Sequence, residues 1–137
     1  SRTQISAAPF GDFPEPPMAA VEQGILDILA TENVDASRIY LCGLSMGGFG
    51  TWDLLSRRPE WFAAAGPICG GANQIHAPRY VGRPIWNWHG AADEIVSVAL
   101  SDHILQAIRQ LGGDPKESRL PAVRHNSWRN AHADAFN

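Results

Sequence analysis

Apolar residues recur at Met18, Val21, Ile25, Ile28 and Leu29. Steps of three and four place them on one side of a helix. Pro16-Pro17 suit its first turn, where a missing amide N–H leaves no bond unmade. The pattern fades near Thr31-Glu32-Asn33. Residues 38–42, Arg-Ile-Tyr-Leu-Cys, then form a short apolar run without polar alternation. That run predicts a strand buried on both faces. Gly43 to Gly50 follow, and Thr51-Trp52-Asp53-Leu54-Leu55 read as helix up to Pro59, because the residue before proline resists the α conformation. Phe62 to Ile68 make a second apolar run, closed by Cys69-Gly70-Gly71, and Pro84 to Trp88 a third, closed by His89-Gly90. Ile104, Leu105, Ile108 and Leu111 predict a second long helix, stopped by Gly112-Gly113. Lys116 to Val123 read as a weaker fourth strand. Residues 1–17, with Pro9, Pro14 and Gly11, read as an extended segment.

Helices alternating with short apolar strands predict an α/β domain: a mostly parallel sheet with helices on both faces, spanning 1–137 as one unit. In such sheets the chemistry sits beyond the carboxyl ends of the strands. Reactive residues should therefore follow the strands directly.

Composition narrows the function. The 137 residues are 45% hydrophobic and 18% charged, which is globular rather than disordered. The net charge of −3, with ten Arg and one Lys, forms no basic stripe, so no nucleic-acid partner is expected. No apolar run approaches the ~20 residues of a membrane helix, so no membrane insertion is expected. Ser1-Arg2-Thr3-Gln4 do not open a secretory signal, and the compartment stays open. Two cysteines make neither a disulfide framework nor a zinc site by themselves; Cys42 and Cys69 are expected to be buried thiols.

Gly43-Leu44-Ser45-Met46-Gly47 fits G-x-S-x-G between a strand and a helix, the context of a nucleophile elbow. A turn this sharp forces the serine into strained backbone, and Gly43 and Gly47 are expected where side chains would collide. The N–H of Met46, at the helix start, is a natural oxyanion donor. The plainer reading is a glycine-rich turn with a capping serine. Serine needs a base, and the base needs an orienting acid. Asp93 follows the third strand and His125 follows the fourth, in the chain order Ser, Asp, His. Glu94 is the rival acid and His132 the rival base, the latter in Arg129-Asn130-Ala131-His132, which reads as a helix start. Asp93 could be only a turn residue, and His125 only a surface histidine. His89 reads as packing beneath the Asp93 loop. Trp52, Trp86 and Trp88 read as core. Trp128, three residues past His125, and Leu44 are candidates to line a substrate site. No pair of histidines has metal-ligand spacing, and no cofactor is implied.

The stretch Asp35-Ala36-Ser37-Arg38-Ile39-Tyr40-Leu41-Cys42-Gly43-Leu44-Ser45-Met46-Gly47-Gly48-Phe49-Gly50-Thr51-Trp52 resembles the α/β-hydrolases of the phospholipase/carboxylesterase-like, "predicted peptidase" branch, near feruloyl and acetyl esterases and polyhydroxybutyrate depolymerases. Pro67-Ile68-Cys69-Gly70-Gly71, Pro84 to Asp93 and His125-Asn126-Ser127-Trp128 fit the same branch in order. The resemblance runs from about Pro17 to Asp134 and implies Ser45 as nucleophile, Asp93 as acid and His125 as base. It also implies a departure. The four strands correspond to the last four of an eight-stranded sheet, leaving the Ser45 strand as an edge, with one oxyanion donor unaccounted for. Residues 5–14 are the spare segment that could supply it. An apolar edge invites another chain, so a homo-oligomer is expected. The family's secreted and periplasmic members leave localisation undecided.

The leading expectation is a serine hydrolase of short-acyl carboxylic esters working through an acyl-enzyme. The alternative is a truncated, weak or inactive fragment that self-associates or needs a partner segment. A third reading is a small-ligand binding domain of hydrolase ancestry.

Overall fold

A computed structural model describes residues 16–135. Helix α1 (Pro16–Thr31) leads to strand β1 (Tyr40–Leu44), helix α2 (Met46–Arg57), strand β2 (Ala64–Ile68), strand β3 (Trp86–Gly90), helix α3 (Ala99–Gln110), strand β4 (Lys116–Leu120) and helix α4 (Trp128–Ala135). Short 3-10 turns occupy Pro59–Trp61 and Gln74–Tyr80. The sheet order is β1-β2-β3-β4 and every pairing is parallel. Tyr40 pairs with Ala64 and Leu44 with Ile68, and Trp86 pairs with Lys116 and Gly90 with Leu120. Every pairing is parallel, so all four strands end at the same rim.

Side chains alternate across a strand, and two apolar clusters use that alternation. The larger gathers Met18 from α1, Phe49, Trp52, Leu54 and Leu55 from α2, and Ile104, Leu105 and Ile108 from α3 against Ala65 and Ile85. Trp52 is fully buried, and Tyr80 lies edge-on to it and donates its hydroxyl to the Trp52 carbonyl at 2.8 Å. The smaller joins Ile68, Cys69 and Trp88 to Ala131 of α4, with Trp86 and Trp128 against it. Trp86 and Trp88 stack at 4.3 Å, and the Lys116 ammonium sits 3.3 Å from the Trp86 ring centre, a cation–π contact.

Among the described residues, strand β1 has β2 on one side only. Its exposure alternates, with Tyr40 67% exposed and Cys42 and Leu44 also open. The edge expected from the sequence is thus seen among the described residues. Cys42 corrects the expectation of two buried thiols: it is exposed, and only Cys69 is buried. An apolar run specifies what a strand would bury, not whether a neighbour covers it. The extended segment assigned to residues 1–17 lies outside the described residues apart from Pro16 and Pro17, which open α1.

Candidate active site

The rim where the strands end carries the polar groups. Ser45 joins β1 to α2 with φ 54 and ψ −115, a left-handed backbone that only a sharp turn imposes on a side-chain-bearing residue. Two neighbours make room. A side chain at Gly43 would run into the Gly47 carbonyl and the Thr51 hydroxyl, and one at Gly48 into the Ile68 carbonyl. Gly47 was expected to be the second crowded position, yet a Cβ there meets nothing within 4 Å. The sharpness of the turn falls one residue later, where the helix passes over the end of β2.

The Ser45 Oγ lies 2.9 Å from His125 Nε2, and His125 Nδ1 lies 2.7 Å from Asp93 Oδ2. Nδ1 faces a carboxylate, so it carries the proton and donates; Nε2 is then the acceptor for the serine hydroxyl. The Asp93 side chain is sealed from solvent, whereas that of His125 keeps 22% of its surface. Asp93 Oδ1 accepts the N–H groups of Ile95 at 2.8 Å and Val96 at 2.9 Å. Burial pushes this carboxyl up, but the His125 ring and the two amides outweigh burial and hold it below the ordinary carboxylate value. Asp93 is thus a buried anion whose lone pairs are taken up.

Met46 is the first residue of α2, so its N–H, next to Ser45, has no acceptor within the helix. Its side chain is 73% exposed. Residues 5–14, the segment considered as source of a further donor, lie outside the described residues. The rivals are elsewhere: Glu94 is 73% exposed and faces Arg124 at 3.7 Å, and His132 is exposed on α4. Trp128 stands edge-on to His125 with ring centres 5.7 Å apart. It lines an open depression of about 510 Å³ with residues 122–126 and Asn130. Leu44 is half exposed at the end of β1 but does not line that depression.

Two groups were not singled out as site residues. Cys69 follows β2 at φ 42, and its Sγ, an Asp93 oxygen and a His125 nitrogen lie within 4.8 Å of one another. Such donors suit zinc, although here Asp93 and His125 are hydrogen-bonded to each other. Burial pushes the Cys69 thiol up, so it remains protonated near neutrality. His89 is the other, 1% exposed, with Nε2 3.3 Å from Asp93 Oδ2. Its signal was its place in β3, two residues from buried Asn87 on the same face and four before Asp93.

Comparison with known proteins fits this geometry. A crystal structure of a thermostable esterase superimposes with a TM-score of 0.84 at 35% identity, over 90% of this chain and 36% of that one. The chain has the α/β-hydrolase fold. Among curated relatives, poly(3-hydroxyalkanoate) depolymerase C of Paucimonas lemoignei is 38% identical over 52 residues, covering 38% of this chain and 13% of the relative. The bifunctional acetylxylan esterase/xylanase XynS20E of Neocallimastix patriciarum is 33% identical over 90 residues, 62% of this chain and 13% of the relative. The chain thus spans about an eighth of each curated relative and about a third of the esterase structure. No protein-family model matches it.

Proposed function

We propose that this chain is the catalytic segment of a serine hydrolase that cleaves carboxylic esters. His125 Nε2 takes the Ser45 proton as Oγ attacks the ester carbonyl. The imidazolium that forms is held by the Asp93 carboxylate. The Met46 N–H supports the developing oxyanion, and a further donor would strengthen it; one such donor is typically worth ~10²–10³ in rate. His125 then returns the proton to the leaving alcohol. Water, activated by the same nitrogen, releases the acid and frees Ser45.

The observation that carries this reading is the continuous chain from Ser45 Oγ through His125 to Asp93, at 2.9 and 2.7 Å. It joins residues 80 and 32 positions apart in sequence. The esterase likeness at 35% identity supports ester over other acyl substrates. Short acyl groups fit the shallow, open depression beside His125. Hydrolysis of p-nitrophenyl acetate and butyrate by wild type and Ser45→Ala tests the proposal. Expected is turnover that vanishes in the variant and is faster on acetate. Equal background rates in both proteins would sink it.

A further inference from the structure

Asp93 Oδ2 faces a second imidazole besides that of His125. His89, fully buried beneath the loop, places Nε2 2.9 Å from the Val96 carbonyl and 3.3 Å from Asp93 Oδ2. Both neighbours only accept, so Nε2 must carry a proton. On the other side of the ring, Nδ1 lies 2.6 Å from the Ser101 hydroxyl of α3. Ser101 Oγ is also 3.0 Å from the Gly70 carbonyl, beyond the end of β2. Gly70 in turn packs directly on Gly48, in the first turn after Ser45. A buried polar path thus runs from the acid's carboxylate through His89 and Ser101 to the backbone that supports the nucleophile turn.

We propose that His89 is a positioning residue for the site, resting on the hydrolase reading above. Its Nε2–H, donated to the Val96 carbonyl at 2.9 Å, also backs Asp93 Oδ2 at 3.3 Å, and the Ser101 hydroxyl, anchored on the Gly70 carbonyl, holds the ring from the Nδ1 side. Two imidazole nitrogens then face one carboxylate oxygen, His125 Nδ1 at 2.7 Å and His89 Nε2 at 3.3 Å. That holds Oδ2 in line with His125 Nδ1 and spreads its negative charge over two donors. Burial pushes His89 below the ordinary histidine value, with the Val96 carbonyl and Asp93 acting against it; a neutral ring with its one proton on Nε2 is the form this path needs. The titratable groups facing the path are Asp93, Asp102 of α3 (itself paired with Arg119 of β4), Cys69 and His125.

Charge withdrawn from Oδ2 makes His125 a weaker base. Removing the His89 donor therefore moves the acidic limb of kcat/KM to higher pH, and loosens the carboxylate so that kcat falls. The test compares wild type, His89→Leu, His89→Gln and Ser101→Ala. Expected for His89→Leu is a kcat at least tenfold lower with KM within twofold, and the limb displaced upward by at least half a pH unit. His89→Gln, which keeps an amide N–H, should recover most of both. Ser101→Ala should shift the limb in the same direction by less, and serves if His89→Leu does not fold. The low-field proton NMR resonance of the His125–Asp93 bond should move in the same variants whether or not the chain turns over ester. That separates failure here from failure of the hydrolase reading, which only Ser45→Ala decides. Folded variants with the wild-type limb and an unmoved resonance would overturn the proposal.

Discussion

Gly47 and Gly48 are adjacent, but alanine should act on them oppositely. At Gly48 the new methyl meets the Ile68 carbonyl, part of the β2 backbone that cannot yield cheaply. Overpacking of this kind costs about 1–3 kcal/mol. At Gly47 the space is empty, and an alanine in helix gains up to about 0.5–1 kcal/mol over glycine. Urea denaturation should show Gly48→Ala destabilised and Gly47→Ala equal to wild type or better. Asp93→Asn tests the acid: the amide oxygen can still accept from Ile95 and Val96, while the His125 tautomer loses its anionic partner. Esterase kcat should fall on the order of 10⁴-fold with the folded state retained, as read by circular dichroism. The hydrogen-bonded set Ser45, Asp93 and His125 was legible because each lies within five residues of a strand's end, although β4 stops at Leu120 rather than at the expected Val123. The placement of Cys69 and His89 beside Asp93 was not, because it depends on which face of a neighbouring strand or loop turns inward.

At the scale of elements, the helix after Ser45 begins at Met46, although its apolar periodicity is visible only from Thr51. Three glycines among its first five residues carry no side chains to make a pattern. Strands β1 and β3 reach two residues beyond their apolar runs, to Leu44 and Gly90, since glycine joins the ladder without adding hydrophobicity. The 3-10 turn Gln74–Tyr80, with Pro78 inside it, is too short for periodicity to signal. Strand β1 allows a direct chemical check. Cys42 is exposed and Cys69 is sealed, so a thiol reagent such as dithionitrobenzoate should titrate one group in the native protein and two in denaturant. Two rapid groups in the native protein would mean that the β2 end is open.

For the whole molecule, pH is the informative variable. His89 is held below its ordinary value of 6.5, chiefly by burial, so the unfolded chain binds that proton before the native one does. The native state then takes up fewer protons than the unfolded state, and stability falls as pH drops below 6.5. Asp93, held below its ordinary 3.8, adds a loss with the same sign at more acidic pH. Urea midpoints should decline from pH 7 to pH 5, and His89→Leu should flatten that decline. The homo-oligomer expected from the open edge is checked by light scattering on a size-exclusion column, where twice the chain mass or more is the expected result. The fold class was legible as a whole because four apolar runs alternating with amphipathic stretches admit few other packings. How far β1 stays uncovered was not, since it depends on contacts the chain's own pattern does not encode.

The strand order also has a temporal meaning. Because the sheet is laid down in the order of synthesis, the serine emerges from the ribosome with its turn, and Asp93 follows in the loop after the third strand. The base arrives last, 80 residues after the serine. Until then the nascent polypeptide carries a hydroxyl with nothing to deprotonate it. Under the proposed mechanism, Ser45 gains its base only once β4 and the turn that carries His125 have docked.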